Sequence, residues 1–191
     1  MAARSLIRFF NRDVIPRWSR IRRAFHFWLA ILVGITVVIQ PDIAPILRME
    51  VGDLAVAVLT YAAIAIGFGL SGALIGLTLP SLSLARSIQA SKVGGFGGLS
   101  DLVFVFVWMA TVHVILLLGT SFVWVLRPND WVALGEDATI WGRVGAGFMV
   151  ALGLYGSFQF LVAVTTIMSL LNVYVKFLEE LGHDVESKHR G

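Results

Sequence analysis

Within a chain this apolar, chemistry must be carried by the few side chains that can hold a proton or a hydrogen bond. His113 sits in the middle of VWMATVHVILLLGTSFVWV, and Thr120, seven residues on, shares its helical face. An imidazole so placed has two readings: a neutral ring hydrogen-bonded to a neighbouring helix, or a proton-linked, pore-facing group. In the last apolar run Thr165, Ser169 and Asn172 recur at helical spacing, with Gln159 and Thr166 on an adjacent face. Interhelical hydrogen bonds of about 0.6 kcal/mol each account for such residues, and so does a hydrated vestibule. His113, Thr120, Ser169 and Asn172 therefore form the candidate pore-facing set.

Other chemistries find no residue set. Cysteine is absent, which excludes disulfides, thiolate metal sites and thiol nucleophiles. His26 and His113 belong to different depths, so one chain offers no bis-His haem pair. The stretch SKVGGFGGLSD lacks the GxxxxGK[ST] spacing of a phosphate loop and reads as a joint. In the tail, His183, Asp184, Glu186 and His189 do not follow HExxH spacing and read as a solvated charge cluster. No catalytic, cofactor or metal residues are assigned, and the expected class is non-enzymatic.

The elements that must position these residues follow from composition. Of 191 residues, 58% are hydrophobic and 14% charged, against about 25% charged in a soluble domain. Fifteen of the 27 charges fall in residues 1–23 and 176–191. The pattern predicts an all-α integral membrane protein: four transmembrane helices in two hairpins, preceded by an amphipathic interfacial N-terminal helix. Residues 1–23 form the basic arm and 24–175 the membrane domain, with spans at about 24–40, 54–80, 102–126 and 144–175. Residues 176–191 form a cytoplasmic tail that continues the fourth helix. Two runs, 54–85 and 144–175, each hold 32 residues without a charge. At 1.5 Å per residue each would reach about 48 Å, beyond a hydrocarbon layer of about 30 Å. Pro80 is the expected exit from the second span, whereas nothing breaks the fourth before Gly182. Twelve of the 15 Lys and Arg lie in the two termini and the loop containing Arg86 and Lys92, which predicts cytoplasmic termini, here in a bacterial inner membrane. No small-residue cleavage pattern follows Ile39, so the first run reads as a span; a transit peptide competes for the Arg-rich arm.

In the arm, Ile7, Phe10, Val14, Trp18, Ile21 and Phe25 fall on one helical face and Arg4, Arg8, Arg12 and Arg23 on the other. Arg4, Arg8, Arg12, Trp18 and Arg23 are the expected membrane-interface residues, with arginines among anionic headgroups. The seven arginines of the arm as a whole would also serve simply to enforce orientation. A kink at Pro16 would let the arm run flat before turning into the first span. The aromatics beside the arginines favour lipid over nucleic acid as partner. Small residues predict packing faces: Ala62, Ala65, Gly69, Gly72 and Gly76 on the second span, and Gly145, Gly153 and Gly156 on the fourth.

The leading reading is a small homo-oligomer acting as a membrane-embedded platform or sensor for a soluble cytoplasmic partner. An oligomeric pore for ions or small neutral solutes, or an accessory subunit of a larger membrane complex, are the alternatives.

Overall fold

In a computed structural model of the chain, the described residues are 9–40, 51–78, 99–126 and 140–189. All of their regular structure is helical. A π-helical turn, Phe10–Val14, and a 3₁₀ turn, Ile15–Arg17, lead into α1, Trp18–Arg23. Then follow α2, Phe25–Ile39; α3, Val51–Thr78; α4, Leu99–Leu126; and α5, Ile140–His189.

Among the described residues, three helices are long and apolar enough to cross a membrane, over Ala55–Ile75, Ser100–Val123 and Arg143–Glu179. Their length and composition are compatible with an integral membrane protein. The expected first span differs. Its helix α2 has 15 residues, about 22 Å, which is short of a 30 Å layer. It qualifies only together with Phe10–Arg23, from which it is bent by 75°.

That bend falls at Ala24, whose backbone is extended, and not at Pro16, which lies within the 3₁₀ turn. Neither glycine nor proline marks the spot. Side chains hold it: the Trp28 indole donates to the Arg22 carbonyl at 2.7 Å, and Trp18 meets Phe27 edge to face. The indole satisfies a carbonyl that the end of α1 leaves without a helical partner. The apolar stripe of the arm is divided. Val14 and Ile21 are buried, whereas Phe10, Trp18 and Phe25 are exposed. Two faces of the arm thus have different fates, one covered by protein and one open. Arg12 and Arg23 are exposed, Arg17 pairs with Asp13, and Arg4 and Arg8 lie outside the described residues.

The chain forms two compact units, one of residues 1–63 and 112–158 and the other of 64–111 and 159–191. Helices α3, α4 and α5 each contribute to both. In the first unit, α2 crosses α5 at Gly34 and Gly147. A Cβ built on Gly34 would stand 2.6 Å from the Gly147 carbonyl oxygen, and one on Gly147 would stand 2.6 Å from that of Gly34. Only glycine at both positions allows backbones this close. His26 and Phe27 pack on Tyr155 of α5 beside the crossing.

The second unit is built on Phe106. Its ring lies with Leu102, Val105, Met109, Ala163 and Leu170 in one buried cluster, and Phe68 and Phe160 pack at the edge. Gly69 and Gly72 of α3 make room for it: a Cβ on Gly72 would overlap the Phe106 ring, and one on Gly69 would meet Met109 at 2.8 Å.

Candidate functional site

Serine and threonine on these helices share a habit. Thr36, Thr78, Thr111, Thr165, Thr166 and Ser169 each donate to the carbonyl four residues earlier on their own helix. A hydroxyl in an apolar setting satisfies itself this way when nothing better is in reach. Against that background the side-chain link between His113, Tyr61 and Ser157 in the first unit stands apart.

His113, on α4, is fully buried. Its Nε2 lies 3.1 Å from the Tyr61 hydroxyl of α3, with the rings edge to face at 5.2 Å. Tyr61 in turn donates to the Ser157 hydroxyl of α5 at 3.1 Å. Ser157 donates back to the Gly153 carbonyl at 3.0 Å. Three helices are thereby joined by one run of side-chain hydrogen bonds. Gly156 lets the imidazole lie against α5, since a Cβ there would stand 3.1 Å from Nε2. A buried imidazole without such bonds would cost free energy of the order of 1–3 kcal/mol.

Thr120, two turns beyond His113, is also buried, with 6% of its surface exposed. Its hydroxyl is an exception to the habit above, for it has no hydrogen-bond partner. Of the candidate pore-facing set, His113 and Thr120 belong to the first unit, Ser169 and Asn172 to the second. Ser169 returns its hydroxyl to the Thr165 carbonyl, and Asn172 is exposed.

The expected packing residues divide in the same plain manner. Ala62, Ala65, Gly69, Gly72 and Gly156 are buried within the chain. Around Gly145 and Gly153 there is open space, with no atom within 4 Å of a built Cβ. Gly76 lies on α3, but its surroundings are outside the described residues. Sequence reasoning missed Gly34, Gly147, Tyr61 and Ser157. The glycines carried a signal, since Ala30 with Gly34 and Gly147 with Ala151 are both pairs of small residues four apart. Tyr61 and Ser157 carried none, because a lone tyrosine and a lone serine in a span do not announce which helix they face.

Among the described residues no group of three or more His, Asp or Glu side chains converges as a metal site would require. The chain matches no protein-family model, no curated protein and no solved structure.

Proposed function

We propose that the protein is a non-enzymatic, four-span integral membrane protein, seated in a bacterial inner membrane with both termini cytoplasmic. It assembles as a small homo-oligomer and presents the end of α5 as a platform to a soluble cytoplasmic partner. The basic arm lies at the cytoplasmic interface, with Arg12, Trp18 and Arg23 among lipid headgroups, anionic ones included.

One observation carries this reading. Helix α5 continues unbroken for 50 residues, about 75 Å, against roughly 30 Å of hydrocarbon. A helix that long has to leave the bilayer, and from Lys176 onward its sequence is rich in charge. The open face at Gly145 and Gly153 supports assembly, because backbones of a second copy can approach there without displacing any side chain of the first.

Replacing Gly145 and Gly153 by leucine should leave the helical content intact and shift the protein toward monomer in mild detergent, by mass measurement of the detergent-solubilised particle. Deleting 176–191 should leave assembly intact and abolish capture of the cytoplasmic partner from native membranes. A wild-type protein that is monomeric in mild detergent, with partner capture indifferent to the deletion, would sink the proposal.

A further inference from the structure

From residue 159 onward helix α5 belongs to the second unit, and it carries two apolar faces there. One is covered: Ala163 and Leu170 lie in the Phe106 cluster, and Val173 and Phe177 pack on it. The other is open. Leu161, Met168, Leu171, Val175 and Leu178 are between 48% and 62% exposed, and half-buried Val164 completes their row.

The spacing of that row has a specific meaning. From 161 to 178 the steps are three, four, three, four and three. They average 3.5 residues, the repeat that keeps one seam of a helix turned toward a supercoiled neighbour. Leu161, Met168 and Val175 take the a positions of the heptad, and Val164, Leu171 and Leu178 the d positions. Ala163, Leu170 and Phe177 all fall at c, so the covered face and the seam do not compete. Valine at a between leucines at d, as at Val175, favours two strands.

Lipid covers such a face within the hydrocarbon, but this one outruns it. The apolar stretch Arg143–Glu179 holds 37 residues, about 55 Å against about 30 Å of hydrocarbon. Leu102, which follows Asp101, shares the cluster with Leu170, so charge already stands near the level that Leu170 reaches. Val175 and Leu178 bracket Lys176 further along. At that level a neighbouring helix shields apolar side chains better than acyl chains do.

The flanks suit a second copy. In a parallel pair a residue at g faces the e position five residues later on the other strand. Tyr174, at g, then meets Glu179 of the second copy, and the phenol hydroxyl can donate to the carboxylate; both residues are exposed. A two-fold axis repeats the pairing on the other side. Between 161 and 179 this register sets no like charges against each other.

We propose that residues 161–178 of α5 form a parallel, two-stranded coiled coil with the same stretch of a second copy of the chain. The inference rests on the homo-oligomer proposed above and supplies it with an interface. Six seam positions are few for an independent coiled coil, so the seam adds to the approach at Gly145 and Gly153 and does not replace it.

The test is a cysteine scan of the full-length protein in the membranes of the expressing cell, made clean by the absence of native cysteine. Single variants across the stretch are oxidised and separated on non-reducing gels. A disulfide needs two Cβ atoms within about 4 Å. Product at twice the chain mass should be strong for Leu161→Cys, Val164→Cys, Met168→Cys, Leu171→Cys, Val175→Cys and Leu178→Cys. It should fall severalfold for Ala163→Cys and Leu170→Cys. Most of the seam variants alter exposed side chains, so loss of folding does not obscure the pattern. Product confined to one short stretch would mean an antiparallel crossing, monomer throughout would mean that lipid covers the face, and product of another mass would mean a foreign helix. Each of these overturns the proposal. An oligomer by mass whose cysteines lack the three-four rhythm overturns the seam and leaves the homo-oligomer standing; a protein that is monomeric by mass overturns both.

Discussion

Replacing Gly34 by leucine should force α2 away from α5 and destabilise the protein by about 3 kcal/mol or more. The reason is the identity of the atoms in the way. A Cβ at position 34 meets the Gly147 carbonyl oxygen at 2.6 Å and the Ala151 Cβ at 2.8 Å. Backbone and a methyl carbon have no rotamer to escape into, so the helices themselves must part. Alanine is already informative. It favours helix over glycine by about 1 kcal/mol, yet Gly34→Ala should be net destabilising by about 1–2 kcal/mol because the steric term exceeds that gain. Gly67→Ala should show the propensity gain alone, since nothing stands within 4 Å. The midpoint of unfolding in mixed SDS micelles measures both. Equal midpoints for Gly34→Ala and Gly67→Ala would refute the crossing.

Phe106→Ala should be the most damaging single truncation in the second unit, at about 3–5 kcal/mol. Its ring is buried at the centre of the cluster, and Gly69 and Gly72 are small because it is large. Removing it leaves a void that Leu102, Met109 and Ala163 cannot fill without moving their helices. The reciprocal change, Gly72→Val, places atoms where the ring already is and should be nearly as severe. Leu118→Ala, on the same helix but 62% exposed, should stay within about 0.5 kcal/mol. A Phe106→Ala protein that unfolds with Leu118→Ala would show that this cluster does not hold the unit together.

How much of this could be read from residues alone depended on the range of the interaction. The three long helices were legible, because a charge-free run of 25 or more residues has one answer in lipid. Their ends were less so: α4 begins at Leu99, before the charge at Asp101 that suggested its start. A single aspartate in a first turn suits a helix N-terminus and is no boundary. The small faces of α3 were legible as packing surfaces at Ala62, Ala65, Gly69 and Gly72, since closeness of backbones requires small residues whatever the partner. What they pack against was not. Phe106 is one of 13 phenylalanines, and its selection by Gly72 is a matter of helix register. The elbow at Ala24 was invisible for a related reason, since it is made by an indole reaching a carbonyl six residues away and not by a local breaker. At the candidate site the sequence showed that His113 needed a partner. It held no sign that the partner was Tyr61, 52 residues earlier.

The length of α5 has a mechanical side. From Gly156, where the helix lies against His113, to His189 the chain is one uninterrupted helix of 33 steps, or about 50 Å. Ala163, Leu170 and Phe177 of this helix pack on the Phe106 cluster, so a bend along that stretch would have to break the cluster as well as the helix.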